Sequence, residues 1–155
     1  MSEIASFCYS QRQDIVNAHI PNGVEIIRDS AFFMCSNLSS IFIPCSVKKI
    51  EDNAFAKCYS LSEIIFPDSV EEIGTDICHR CINLKKCVIS NNVHSIPSGA
   101  FDRCFRLNEV TLHDGIKTIG ESSFAFCFDL KKINFGKSLK EIGRAAFSSS
   151  GIENV

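Results

Sequence analysis

Residues 44–64, PCSVKKIEDNAFAKCYSLSEI, decide the fold, because their spacing recurs every 23 residues along the chain. From Val47, steps of 23 reach Val24, Val70, Val93, Ile116 and Leu139, all aliphatic. Three residues on, Ile27, Ile50, Ile73, Ile96, Ile119 and Ile142 recur without exception. A small residue then meets a bulky one, as in Ala31-Phe32, Ala54-Phe55 and Ala100-Phe101. Cys35, Cys58, Cys81, Cys104 and Cys127 follow at the same step, with Leu38, Leu61, Leu84, Leu107 and Leu130 three residues behind them. A fixed period of this length defines a solenoid, in which each repeat buries its apolar face only against its neighbours.

The 155 residues therefore form one continuous array, 1–155, without a linker: about six 23-residue repeats over 22–155 behind a worn N-terminal copy at 1–21. In that copy Ile4, Tyr9, Ile15, Ala18 and Ile20 stand 23 residues before Ile27, Phe32, Leu38, Ile41 and Ile43, and Arg12 replaces the cysteine. Its greater polarity fits a cap that faces water on one side. At the other end Gly151-Ile152-Glu153-Asn154-Val155 stops in mid-strand with no polar cap, so an unpaired edge is expected there.

With 45% apolar residues, 13 of the 155 being Phe, the chain is apolar enough to fold. A net charge of −2, from 16 basic and 18 acidic residues, gives no electrostatic reason to expect nucleic acid or an anionic membrane as partner. No apolar run approaches the roughly 20 residues of a transmembrane helix, and residues 1–10 lack the basic and apolar regions of a signal peptide.

Each repeat reads as two pieces. Leu-x-x-Ile-x-Ile, as at Leu38 to Ile43 and Leu61 to Phe66, alternates as a strand, with Ile41 and Ile43 inward and Phe42 outward. Copies stacked in one sense give a parallel sheet with strands about 4.8 Å apart. Pro21, Pro44 and Pro67 end the strand, where a missing amide hydrogen costs little, and Ser90, His113 and Gly136 take that place later. The return path carries Val47, Ile50, Phe55 and Cys58. Two forms are open for it: helical turns that keep Ala54, Phe55 and Cys58 on one face, or a short second strand over 47–50. The expected class is an α/β repeat solenoid. Ile77-Cys78 and Cys87 mark the most divergent repeat, where a core Phe is replaced by Cys. The space left makes this the weakest junction, by about 1–3 kcal/mol.

Nine cysteines cannot all pair within one chain. Five at one repeat position read as a stacked ladder of buried, reduced thiols. Such thiols, with the missing signal peptide, point to the cytoplasm. Cys8 and Cys45 lie outside the ladder and are the candidates for exposed thiols. Cys78-His79-Arg80-Cys81, with Cys87 nearby, has the ligand types for zinc and the spacing of a redox motif. The repeat nevertheless assigns all three cysteines to the core. His19, His79, His94 and His113 fall at scattered repeat positions with no triad partners beside them. Glycines occur singly, as turn punctuation rather than a phosphate loop. The chain is therefore read as no enzyme, with no catalytic residue, cofactor or metal.

Glu63, Lys86, Glu109 and Lys132 share one strand position with alternating sign, and Lys48-Lys49 faces Glu71-Glu72 in the same way. Each such pair supports register with about 0.2–1 kcal/mol. The outward strand column is His19, Phe42, Ile65, Val88, Thr111 and Asn134. Its apolar run Phe42, Ile65 and Val88 reads either as an interaction patch or as the ordinary preference of strands for such residues.

The full pattern, Leu-x-x-Ile-x-Ile-Pro-x-x-Val-x-x-Ile-x-x-x-Ala-Phe-x-x-Cys over about residues 15–155, resembles the BspA-like, Treponema-type class of 23-residue leucine-rich repeats. It departs from that class at Ile77-Cys78, at Ser123 before Phe124 and at Ser150, where the cysteine is missing. The resemblance implies a right-handed solenoid with strands lining a concave face. It also implies a binding or adhesion role, as of a surface antigen, on the cell surface of bacteria and parasitic protists. The expected function is a non-catalytic protein-interaction or adhesion scaffold. Its concave face would take a protein or other macromolecule, with Phe42, Ile65 and Val88 as contacts and Thr111 and Asn134 as rim. The alternative is a structural module that stacks end to end through its C-terminal edge.

Overall fold

The computed structural model describes residues 2–152. Met1 of the N-terminal copy and most of the expected mid-strand ending, residues 153–155, lie outside those described.

Each coil adds short strands to parallel sheets, because identical apolar spacing puts equivalent residues in register one coil apart. The first series is β2 (Asn17–His19), β4 (Ser40–Phe42), β6 (Glu63–Ile65), β8 (Lys86–Val88) and β10 (Glu109–Thr111). The second is β1 (Glu3–Ile4), β3 (Ile26–Ile27), β5 (Lys49–Ile50), β7 (Glu72–Ile73), β9 (Ser95–Ile96), β11 (Thr118–Ile119) and β12 (Glu141–Ile142). Register follows the period: Ile27 pairs with Ile50 and Ile50 with Ile73, all parallel. The product is a parallel β-solenoid with one core running its length.

The return path corrects one expectation. No helix occurs among the described residues, so the α/β class and the helical turns give way to the short second strand. The reason is dimensional. Coils hydrogen-bonded strand to strand are about 4.8 Å apart, whereas packed helices need about 8–10 Å between axes. The segment that looked helical is instead a second kind of ladder. Amides of Ser30, Phe32 and Met34 donate to Asp52, Ala54 and Ala56 of the next coil at 2.8–2.9 Å, while those of Ala31, Phe33 and Cys35 close local turns. Two left-handed residues per coil, such as Asn53 and Lys57 or Asp76 and Arg80, make this alternation possible. Each costs about 1–3 kcal/mol and persists because the ladder over-determines it.

The core is columnar. All five ladder cysteines and the five leucines behind them have no exposed surface. Tyr9, Phe32 and Phe55 stack at 5.1 and 5.6 Å, and Phe101, Phe124 and Phe147 at 5.4 Å each; Cys78 interrupts the column between them. Ile77 and Cys78 are both fully buried. Where proline is lost after the strand, side chains take over the turn. Ser90 Oγ donates to the Val70 carbonyl and accepts the Asn92 amide. His113 uses Nε2 on the Val93 carbonyl at 2.7 Å and Nδ1 to accept the Gly115 amide at 2.9 Å.

Both sheets break, and neither break is periodic. In the second series β7 and β9 do not pair with each other. Every other coil bonds here through the residue after the isoleucine: Glu51, Gly74, Gly120 and Gly143 donate to the isoleucine carbonyl one coil back. The residue at that place after Ile96 is Pro97, which has no amide hydrogen to give. In the first series the ladder opens between β4 and β6 and again after β10. The inward column Ile20, Ile43, Phe66, Ile89, Leu112, Phe135 holds Phe only at 66 and 135, and each opening falls directly before one of them. Phe66 nevertheless keeps its pairing on the other side, its amide donating to Val88 at 3.0 Å, so the opening lies on the Ile43 side alone.

Charge alternation is realised in part. Lys49–Glu72 at 2.9 Å and Lys86–Glu109 at 3.3 Å are ion pairs. Glu63, in register with Lys86, forms no ion pair among the described residues, and Lys132 lies outside any strand. Arg28 bridges three coils instead, reaching Glu3 at 2.7 Å and Glu51 at 2.9 Å.

Candidate interaction surface

Alternation along the first series sends the two outer residues of each strand outward, and the second of them forms a column from His19 to Thr111. His19 and Phe42 are paired across β2 and β4, their rings stacked at 4.6 Å. Ile65, Val88 and Thr111 are paired across β6, β8 and β10. Phe42 is 53% exposed and Ile65 49%. Val88 is half-buried and Thr111 exposed. Asn134 is exposed but off the sheet, its Oδ1 accepting the Gly136 amide at 3.2 Å. Four of the five residues singled out in the sequence therefore share one face, and the fifth stands beyond its end.

The opening between β4 and β6 changes that face. Phe42 and Ile65 flank a cleft of about 420 Å³, lined also by Ile41, Ile43, Cys45, Glu63 and Pro67. Sequence reading found the walls but not the cleft, nor Cys45 and Glu63 in it.

All nine cysteines are free thiols. Each ladder thiol donates to a carbonyl one coil back: Cys35 to Tyr9, Cys58 to Phe32, Cys81 to Phe55, Cys104 to Cys78 and Cys127 to Phe101, at 2.9–3.2 Å. Four of the five acceptors are members of the aromatic column and the fifth is Cys78, which stands in its place, so the thiol column and that column lock each other. Burial pushes the Cys127 thiol up to about 12 and those of Cys58, Cys78, Cys87 and Cys104 well above the ordinary range. Burial thus disfavours the thiolate form that redox or metal chemistry uses. Cys8 and Cys45 are exposed. Native-state alkylation is therefore expected to label Cys8 and Cys45 and to spare the other seven until denaturant is added. Peptide mass spectrometry reads this directly, and rapid labelling of Cys78 or Cys81 would refute the buried ladder.

His79 lies beside the buried thiols with Nδ1 3.1 Å from Asp102 Oδ2, in a geometry that makes no hydrogen bond. Desolvation lowers its pKa against the pull of Asp102. Among the described residues no three His, Cys, Asp or Glu side chains are grouped to hold a metal ion. No helix among them is long and apolar enough to cross a membrane.

The chain belongs to the BspA type leucine-rich repeat family, whose model matches six copies over residues 2–127 and 94–155. It is similar to the T. pallidum leucine-rich repeat protein, with 32% identity and a TM-score of 0.86 over 92% of this chain and 67% of that one. A leucine-rich cell surface protein from Faecalibacterium prausnitzii is 31% identical, with a TM-score of 0.86 over 99% of this chain and 44% of that one. The pneumococcal vaccine antigen PcpA, at 23% identity and a TM-score of 0.62, shares the fold. The chain thus spans about two thirds of the first of these proteins and less than half of the second. No curated protein matches it in sequence. It is a repeat scaffold of the kind typical of interaction and surface proteins.

Proposed function

We propose that this chain is a non-catalytic interaction or adhesion scaffold that binds a macromolecular partner through the concave face of its first strand series. Phe42, Ile65 and Val88 are the contacts, and Thr111 and Asn134 the rim. The observation that carries the reading is the cleft between β4 and β6, where two large apolar side chains, each about half exposed, stand on either side of an opening in the sheet. An apolar anchor from a partner, surrounded by polar rim, is the usual form of an interaction hot spot. A stiff array of coils suits the role, since it offers a wide surface without rearrangement on binding.

The test is Ile65→Lys. Ile65 points to solvent, so stability in urea is expected to stay within about 1 kcal/mol of the parent. A photoreactive label on Cys45, at the wall of the cleft, is expected to cross-link a partner from source-cell extract with the parent and not with the variant. A large loss of stability would show that Ile65 belongs to the core and would end the proposal. Concentration-dependent size in sedimentation would favour instead stacking through the C-terminal coil, where Ile142 is 39% exposed.

A further inference from the structure

The turn ladder carries a column unlike any other in the chain. Lys57, Arg80 and Arg103 occupy one place in three successive coils, each with nearly the same left-handed backbone, φ 60°, 58° and 60°. Their amides donate to His79, Asp102 and Ala125 of the next coil at 2.7–2.8 Å, so the three coils are tied at this point. The side chains therefore leave the surface in the same direction, about 4.8 Å apart. No other column of the 23-residue period places three like charges in succession. Like charges facing one another across a ladder are destabilising, whereas Lys49–Glu72 and Lys86–Glu109 are neighbours of opposite sign that pair.

Here the repulsion is only partly relieved. Arg103 is 3.6 Å from Asp102 and lies 4.5 Å over the Phe126 ring, and Lys57 lies 5.0 Å over Phe33. Arg80, the central member, is exposed and has no carboxylate partner among the described residues. Two residues along the chain runs an apolar column, Tyr59, Ile82, Phe105 and Phe128. Phe105 and Phe128 stack at 5.3 Å, and Phe128, which is 51% exposed, meets Phe126 edge-on at 6.2 Å. Since Phe126 continues the cationic column, this contact shows that the two columns adjoin. The result is a stripe of cations beside a stripe of rings, both running along the solenoid axis.

We propose that this stripe is a binding site for an anionic polysaccharide, which lays the apolar faces of its sugar rings on Ile82, Phe105 and Phe128 and its carboxylates or sulfates on Lys57, Arg80 and Arg103. Guanidinium groups hold such oxyanions through paired, charge-assisted hydrogen bonds. A chain of pyranose rings advances by a step close to the coil spacing, so successive sugars meet successive cations. An extended acidic peptide repeats its side chains on one face every roughly 6.6–7 Å and falls out of step. Duplex nucleic acid fits less well because each strand repeats its phosphates about every 3.4 Å along the axis and falls out of step with the coils. The site lies on the turn face and is independent of the strand face proposed above.

The experiment is titration calorimetry of the full chain with a heparin octasaccharide, at two salt concentrations. Binding is expected that weakens as salt rises. Arg80→Glu should reduce it at least about tenfold, the value of one charge-assisted contact, with an unchanged melting temperature. Phe128→Ala should weaken it without changing charge, and Lys117→Glu, an exposed cation in another column, should leave it unaltered. Absence of binding, or equal loss in the Lys117 variant, would overturn the proposal. So would equal or tighter binding of polyglutamate or single-stranded oligothymidylate, which would assign the stripe to acidic polypeptide or nucleic acid.

Discussion

Phe124→Ala is expected to lower stability by about 3–5 kcal/mol and to do so unevenly along the molecule. Phe124 has no exposed surface and stacks on Phe101 and Phe147 at 5.4 Å, with ring planes within 13° and 2° of parallel. Truncation removes two aromatic pairs, each contributing about 0.5–1.5 kcal/mol beyond the area buried, and leaves a cavity between coils that are held apart by their own ladders. In a compact domain the loss would be shared. In a solenoid each coil touches only its neighbours, so the loss falls on the junction. Hydrogen exchange is therefore expected to show amides from about Thr118 onward losing protection before those around Ile27 and Ile50. A single transition with uniform loss of protection would mean that the coils fold as one unit and would contradict this account.

Gly120→Ala is expected to destabilise by about 1–3 kcal/mol or more through overpacking, although Ala is otherwise the easier residue to order. A Cβ there would stand 2.5 Å from the Ser98 nitrogen, 2.7 Å from the Pro97 carbonyl carbon and 2.9 Å from the Ile96 oxygen. All three are backbone atoms of the preceding coil, so no side chain can swing aside. Gly120 also donates to Ile96 at 2.8 Å, which fixes how closely the coils approach. Gly74 and Gly143 occupy the same column and meet the preceding coil at 2.4–2.5 Å. The contrast is Gly115→Ala, where the nearest atoms belong to the His113 ring. That variant should cost less, by letting the ring shift. Urea unfolding of the two variants side by side decides the matter, and equal losses would show that close backbone approach is not what demands glycine at 120.

The same column explains why the β7–β9 pairing fails. Pro97 has no amide hydrogen at a place where Arg28, Glu51, Gly74, Gly120 and Gly143 each donate to the isoleucine one coil back. The two openings of the first series fall beside Phe66 and Phe135, the aromatic members of an otherwise aliphatic inward column. One of them coincides with the cleft flanked by Phe42 and Ile65, so the feature on which the proposed function rests comes from an irregularity in the repeat.

The period, the parallel sense of the strands, their one-coil register and the membership of each core column were all legible in the sequence. They depend only on which residue stands 23 places from which, and on alternation within a few residues of the strand. The inward cysteine and leucine columns and the outward Phe42 and Ile65 follow from those facts alone. What the tertiary structure decided is everything set by the distance between coils. That distance excludes a helix from the return path and forces the left-handed turns at Asn53, Lys57 and their equivalents. The structure also gives Lys86 to Glu109 rather than to Glu63, and opens the second series at Pro97, which has no amide hydrogen to donate. Local pattern names each coil's contents; only the stacked coils determine whether neighbouring contents fit within one ladder step.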